Sequence, residues 1–483
     1  RLVVPGGEGS PQLHVLDSIH PDAIAAVERQ LDLAHTLVVV ASKSGSTLEP
    51  NLLLAHFLAR VGEAVGEDEA PRRFLAITDP GSSLDRLARE RGFCRIVHGE
   101  PTIGGRFSAL SPFGLVSAAI QGLELEPWLG SAARMAEACR GGEPLANPGV
   151  ALGLVMAAAA KLGRDKLTLV AHPELAPFGA WLEQLVAEST GKRGVAILPI
   201  DGEELGAPEL YGDDRLFVAL RAAGELGAGD GARLDALAAT GHPVVELDLA
   251  SPLELGAELF RWEIATAVAG ARLGVDPFDQ PDVESAKLAA RRLTAEIEAT
   301  GSLPAETPFF TGEGGSLFAP AGAARALRAA AGPDPGIADL LRAHLARLGR
   351  GDYLALLVFS EISADAIAAA SRLRRAVRRS TRAATSIGFG PRYLHSTGQA
   401  HKGGPPTGVF VVVTDEPRRD LPVPGQRMTF GQAVAAQARG DFAVLVERGR
   451  RALRIELQGP AAERLPPLVA AVEAALDEAG VGR

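Results

Sequence analysis

LVVVASKSGSTLEP, residues 37–50, passes from a β-prone apolar run into a loop crowded with hydroxyls. Leu37 to Val40 predict a buried parallel strand, and Leu48 to Val61 predict a helix. The loop Ser42-Lys43-Ser44-Gly45-Ser46-Thr47 therefore closes a strand at its carboxyl end and opens a helix. Unpaired N–H groups and the positive end of the helix dipole make such a turn an anion site, and the hydroxyls add donors that rotate to fit phosphate oxygens. The spacing is not that of a Walker A loop, which argues against a nucleotide triphosphate. One or two hydroxyls would be an ordinary N-cap. Four of them with a lysine in six residues favour a phosphate group.

Outward from this unit, strands alternate with helices over short loops. Strands are expected at Leu13–Leu16, Arg73–Thr78, Arg95–Val97, Lys166–Ala171, Val195–Pro199, Phe217–Leu220, Val244–Leu249, Tyr353–Phe359 and Val409–Thr414. That alternation means α/β architecture with parallel, doubly wound sheets, whose ligands gather at the carboxyl ends of strands. Gly141-Gly142 to Pro148 marks a boundary, which divides the chain into 1–145, 146–300 and a carboxy-terminal α/β extension, 301–483. The Gly- and Ala-rich stretch from Gly301 to Asp352 reads as a connector carrying a lid-like insertion.

Composition narrows the function. The 483 residues are 22% charged and 47% apolar, with a formal net charge of −10. This balance argues against general nucleic-acid binding, which needs a basic face. Arg372, Arg374, Arg375, Arg378, Arg379 and Arg382 form one basic run at helical spacing, read first as a solvated helix face and second as a partner or sugar-phosphate contact. Cys94 and Cys139 are the only cysteines and form no CxxC pair, so neither a disulfide framework nor a cysteine zinc site is expected. A reducing compartment, the cytoplasm, follows. No apolar run approaches membrane-spanning length. The first residue is Arg1, and an excised piece of a longer chain is the expectation.

Four further segments carry chemistry. Gly104-Gly105-Arg106-Phe107-Ser108 allows close backbone approach and presents a cation, although a turn with a surface arginine has the same sequence. In the helix expected over Pro177–Glu188, Trp181, Leu185 and Glu188 share one face, with Gln184 one turn before Glu188. Periodicity alone favours a helix-end glutamate turned to solvent; a carboxylate on a partly apolar face would instead suit a general base. Gln280 and Lys287 lie about two turns apart where DPFDQPDVESAK, residues 276–287, enters a helix. The loop from Leu394 to Gly404, LHSTGQAHKGG, contains His395 and His401 but no cysteine or carboxylate cluster, so zinc is not expected.

SKSGSTLEP, GGRFS, QLVAESTGK and FDQPDVESAK, in that order, resemble the glucose-6-phosphate isomerase family, and most closely the isomerase part of fused transaldolase/glucose-6-phosphate isomerase proteins. The resemblance covers nearly the whole chain. It implies two doubly wound parallel-sheet sugar-isomerase (SIS) domains, a homodimer, a sugar phosphate substrate and no metal or organic cofactor. By the same resemblance, Ser42, Ser44, Thr47 and the Lys43 backbone contact the 6-phosphate, and Arg106 faces the developing enediolate. Gln184 positions the ligand, Glu188 moves the proton between C2 and C1, and Gln280 and Lys287 lie near the phosphate and ring oxygen. The family's early GxGGSS-like loop has no match before Ser42, where Gly6-Gly7-Glu8-Gly9-Ser10 is misplaced. Its HSxGQ motif, usual between ESxGK and FDQP, occurs here as His395–Gln399 after FDQP, as in the fused proteins. His395 is thus the expected ring-opening group and His401 the second choice. A sugar-phosphate sensor without catalysis would keep the loop but not Glu188, Arg106 and Lys287 together. A fragment left by removal of a transaldolase part is a third reading, and an amidotransferase-type aminosugar isomerase would carry an N-terminal cysteine.

Overall fold

A computed structural model describes residues 11–478, with the side chains of residues 282–287 outside the description. The described backbone forms three β-sheets flanked by helices. After helix α1 (Pro21–Glu28), the first sheet contains β1 (Val38–Ala41), β2 (Phe74–Thr78) and β3 (Arg95–His98), all parallel and in that order. Every residue of β2 is buried, as a central strand covered on both faces requires. The crossovers are α2 (Leu48–Val65) and α3 (Ser83–Arg91). Leu54, Phe57 and Val61 of α2 recur at helical spacing and pack with Val40, Phe74, Leu84 and Ala88.

Helices α4 (Pro112–Ile120), α5 (Leu125–Ala138) and α6 (Pro148–Lys161) lead into the second sheet. Its strands are β4 (Lys166–Ala171), β5 (Leu198–Ile200), β6 (Arg215–Ala222) and β7 (Val244–Leu249), parallel in the order β5-β4-β6-β7. Helix α7 (Ala176–Thr190) joins β4 to β5, α8 (Asp230–Ala239) joins β6 to β7, and α9 (Leu255–Leu273) closes the unit. Gly153 lets α6 lie directly against α9, because a Cβ there would meet the Ala265 carbonyl at 2.5 Å.

The third sheet follows α10 (Pro281–Thr300). It begins with a hairpin, β8 (Phe310–Gly312) and β9 (Gly315–Phe318), then α11 (Ala321–Ala331) and α12 (Ile337–Leu345). Strand β10 (Tyr353–Phe359), α13 (Ala364–Thr381), β11 (Ala384–Phe389), α14 (Gly398–Gly403), β12 (Gly408–Thr414), α15 (Phe430–Glu447), β13 (Arg451–Leu457) and α16 (Ala461–Glu478) complete it. The order is β11-β10-β12-β13-β9-β8, with only β9 and β8 antiparallel to their neighbours. Ile19 and Ile24, Leu52 of α2, Ala187 of α7 and Ile200 of β5 share one core with Phe359, Phe410 and Phe430, so all three units meet in common apolar packing.

Four expectations change. Leu13–Leu16 forms no strand; Leu13 and Val15 stay exposed and no sheet edge takes the segment as a partner. The stretch from Gly301 is not a lid: β9 pairs with β13, and Leu317, Leu327, Leu340 and Leu341 are buried in the third core. Strand β11 goes unforeseen because Gly388 breaks its β-prone run; Tyr393 packs there, 2.8 Å from where a Cβ would lie. The basic run is only partly a solvated face. Arg374 and Arg378 are buried, and their guanidiniums donate to the carbonyls of Asp201 (2.8 Å) and Glu204 (2.6 Å) in the second unit.

Candidate active site

The hydroxyl loop lies at the carboxyl edge of the first sheet, between β1 and α2. Its carbonyls are occupied from behind. Thr78 Oγ1 donates to Ser42 O (2.7 Å), Asp79 N to Lys43 O (3.1 Å), and Asn51 Nδ2 to Gly45 O (3.1 Å). With the carbonyls turned inward, the loop's outward-facing backbone groups are donors. Gly45 has φ +67°, and a Cβ there would collide with the Leu84 backbone nitrogen and Ser83 Oγ. Only glycine fits this turn. Thr47 is the N-cap of α2, yet its side chain makes no capping bond. The Ser42 hydroxyl is buried with no hydrogen-bond partner among the described residues, and the Ser44 hydroxyl bonds that of Ser46 (2.8 Å). The Lys43 ammonium pairs with Asp79 (2.6 Å) and donates to Glu100 O (2.8 Å), so it braces the loop.

The loop after β3 carries Arg106 from that same edge to α7. Because α7 joins two parallel strands it runs antiparallel to them, which puts its last turn at the amino edge of the second sheet. There the Glu188 side chain keeps 10% exposure, and Arg106 Nη1 lies 3.3 Å from Glu188 Oε1. Gln184 Nε2 donates to the other carboxylate oxygen (3.3 Å). Glu188 therefore does not turn to solvent, and Arg106 is no surface arginine. Arg106 Nε donates to Ser189 Oγ (2.8 Å), Nη1 to Gln280 Oε1 (2.9 Å), and Nη2 to the carbonyls of Pro277 (2.6 Å) and Asp279 (2.9 Å). Burial lowers its pKa, with Glu188, Asp279 and Asp276 acting in the opposite direction. Trp181 Nε1 donates to Arg106 O (3.1 Å), fixing the loop on α7. Lys192 pairs with Asp279 (2.7 Å) and also donates to Asp276 O, which secures the DPFDQ turn.

The third unit contributes the HSTGQ segment. His395 Nε2 is 3.3 Å from Glu49 Oε1 in the first turn of α2, and Gln437 Nε2 of α15 donates to the same oxygen (2.6 Å). Burial works to raise the Glu49 pKa, but the His395 and Gln437 contacts outweigh it and hold the carboxyl low. Gln399 Nε2 donates to Gly191 O (2.8 Å), and Gly191 itself admits the backbone of Ala400, which would collide with a Cβ. The His395 side chain is 35% exposed. His401 is not a second candidate. It is 1% exposed among Tyr353, Tyr393 and Phe410, its Nδ1 bonds Tyr353 Oη (2.9 Å), and burial drives its pKa well down. It is a core histidine.

Ser42, Lys43, Ser44 and Thr47 thus share one loop, and Arg106, Gln184, Glu188 and Gln280 meet around one carboxylate. His395 reaches the helix that the loop opens. Lys287 lies in α10, but its side chain is outside the described residues, as is the Gly6–Ser10 segment. Glu49 and Ser189 were not singled out from sequence. Both stand inside the quoted motifs, but an acid in a first turn ordinarily answers the helix dipole, and no spacing rule marks a serine as an arginine's anchor. Among the described residues no three His, Cys, Asp or Glu side chains converge to hold a metal ion, and no helix is long and apolar enough to cross a membrane.

The family model for phosphoglucose isomerase matches residues 6–203. Glucose-6-phosphate isomerase of Rubrobacter xylanophilus is 32% identical over 321 residues, covering 58% of this chain and 73% of that protein. A probable glucose-6-phosphate isomerase of Natronomonas pharaonis is 32% identical over 330 residues, covering 59% of this chain and 74% of that one. Among solved structures, a hypothetical protein of Thermus thermophilus superposes with a TM-score of 0.53 at 27% identity, covering 58% of this chain and 76% of its own. Identity of this extent across most of both relatives' length, on a site with this loop, arginine and carboxylate, shows that the chain belongs to the glucose-6-phosphate isomerase family.

Proposed function

We propose that this chain interconverts glucose 6-phosphate and fructose 6-phosphate by proton transfer between C2 and C1 through a cis-enediol. The observation that carries the proposal is the Glu188 carboxylate, almost shut off from water, beside a guanidinium whose other donors are already committed. A base kept at a helix end without its own solvation shell is held ready for a carbon-bound proton. Arg106 needs no reorganisation to stabilise negative charge, since backbone carbonyls, Ser189 and Gln280 fix its plane.

The 6-phosphate sits on the Ser42 to Thr47 loop, where the unpartnered Ser42 hydroxyl and the unused Thr47 side chain supply donors beyond the backbone. His395, oriented by Glu49, moves a proton between the C1 hydroxyl and the ring oxygen so that the ring opens. Glu188 then takes the C2 proton of the aldose while the C1 carbonyl oxygen gains one, giving the enediol. The same carboxyl returns its proton to C1 as the C2 hydroxyl loses its own, giving the ketose. Gln184 orients the carboxylate, Gln280 holds Arg106, and Lys287 is assigned near the ring oxygen on the motif alone.

The domain division at about residues 145 and 300 is supported by the three sheets falling inside those limits. Descent from a transaldolase fusion, work as a homodimer and residence in the cytoplasm belong to the same reading. The HSTGQ segment following FDQP supports the first of these. An assay coupling fructose 6-phosphate to glucose 6-phosphate production tests the core claim. Glu188→Gln should reduce turnover by about 10²- to 10⁴-fold with the fold intact, and a variant as fast as wild type would refute the assignment.

A further inference from the structure

Helix α7 has a second working face. One residue before Gln184, Glu183 turns away from Arg106 and accepts a hydrogen bond from Ser396 Oγ (2.9 Å), the residue directly after His395. Ser396 is buried, and its hydroxyl also lies 3.4 Å from Tyr393 O. One helical turn before Glu183, Gly179 leaves room for the Asp201 carboxylate, which would overlap any Cβ there. Glu183 therefore stands between Asp201, at the end of β5, and the histidine loop. The charged groups that act on it are Asp201, Arg392 and Arg374.

The far end of the same loop is fixed by a different kind of contact. Lys402 and Asp441 form a buried pair (2.5 Å), and Tyr393 Oη donates to Asp441 Oδ2 (2.6 Å). Gln399 is tied to Gly191 O. None of these bonds adjoins His395 on its carboxyl side. Ser396 to Glu183 does, and it joins the loop to the helix that bears Glu188.

We propose that Glu183 is a positioning residue: by holding Ser396 it sets where the His395 imidazole stands relative to Glu188, and so couples the ring-opening group to the proton-transfer base. This rests on the reading of His395 given above. Loss of the contact frees one peptide unit beside His395, and a displacement of about 1 Å at a reacting group is enough to cost up to about 10²-fold in rate. Desolvation, with Asp201 adding to it, raises the Glu183 pKa to about 7. The contact therefore has its stronger, ionised acceptor above neutrality and a weaker, protonated one below.

The test uses two substrates with the whole chain. Fructose 6-phosphate must open its ring; its 5-deoxy analogue has no hydroxyl with which to close one, and exchange of its C1 proton with deuterated water reports Glu188 alone. Ser396→Ala, Glu183→Ala and the double variant should each lower kcat on fructose 6-phosphate by about 10- to 100-fold, with no further loss in the double, while C1 exchange in the 5-deoxy analogue stays within about two-fold. Glu183→Gln, which keeps an acceptor, should restore most of the rate and remove the part of the pH profile centred near 7. Ser396→Ala removes only a hydroxyl and serves should Glu183→Ala fail to fold. Equal losses on both substrates, or additive losses, would overturn the coupling. His395→Ala in the same assays separates the two claims: full activity on fructose 6-phosphate would remove His395 and the coupling with it, whereas loss there with wild-type rates in Ser396→Ala would remove the coupling alone.

Discussion

At the scale of single residues, Arg106 joins more of the site than any other side chain. Its five N–H donors form a rigid fork, and the structure uses that fork for one hydroxyl, one amide and two carbonyls while leaving a face toward Glu188. A lysine keeps the charge but cannot make these bonds together. Arg106→Lys should therefore lower kcat by about 10²-fold or more, and with the 6-phosphate on the Ser42 to Thr47 loop, as proposed above, it should move KM much less. Steady-state kinetics on both substrates check this, and a KM effect larger than the kcat effect would show that Arg106 serves binding instead. The grouping around Arg106 was legible from the chain alone, because GGRFS, QLVAESTGK and FDQP name residues that the structure brings together. The direction of Glu188 was not. Periodicity places it on an apolar face, but only Arg106, arriving from a loop 82 positions earlier, decides that it faces a partner and not water. Nor could the pattern separate His395 from His401, which lie in one short loop; a strand and a helix remote in sequence bury one and leave the other open.

At the scale of elements, the strand and helix alternation was legible, and the largest failure has a long-range cause. The hairpin β8–β9 and helices α11 and α12 looked like a lid because their sequence is rich in small residues. They are buried by β13 and α16, which lie more than a hundred residues further on. Leu340, at 0% exposure in α12, should accordingly cost about 2–5 kcal/mol as alanine, read from denaturant midpoints. Helix α9 carries a different stress. Burial raises the Glu258 carboxyl to about 7, with Arg261 acting against the rise, and raises Glu263 to about 8. An acid whose pKa is higher in the folded chain than in the unfolded one binds a proton more tightly when folded. Its stabilising effect is full below the unfolded value near 4.5 and is lost as pH rises toward the folded one. Stability should therefore decline between pH 5 and 8. Glu263→Gln, neutral at every pH, should recover on the order of 1–2 kcal/mol at pH 8.5 and nothing at pH 5. Thermal unfolding at the two pH values measures it, and an equal effect at both would assign the change to packing.

For the whole molecule, the proposed reaction draws on all three units at once: the Ser42 to Thr47 loop from the first, Glu188 from the second, and His395 from the third. What keeps the last two in register is a buried ionic cluster. Glu203 takes Arg215 at 3.1 Å from its own sheet, Arg378 at 3.4 Å from α13, and the Thr385 hydroxyl at 3.1 Å from β11. Arg374 donates to Thr385 O (2.7 Å) and to Asp201 O, the residue that adjoins Glu183. Burial works to raise the Glu203 carboxyl, but Arg215, Arg374 and Arg378 together outweigh it and hold it below the ordinary range. A carboxyl lowered in this way stabilises the fold above its unfolded pKa, and that contribution is lost as pH falls through the folded value. Glu203→Gln would leave three guanidiniums facing one neutral amide, and removing one member of a buried pair costs about 3–5 kcal/mol. Because the lost contacts bridge two units, the damage should be directional. Amide exchange should rise first along β5 and β11, and kcat should fall together with that protection although no reacting group has changed. The deficit should shrink as pH falls from the unfolded carboxyl value near 4.5 toward the lower folded one. Hydrogen exchange at pH 7 and 4 checks both parts, and uniform loss of protection across all three sheets would mean that the cluster supports the fold at large and not this junction.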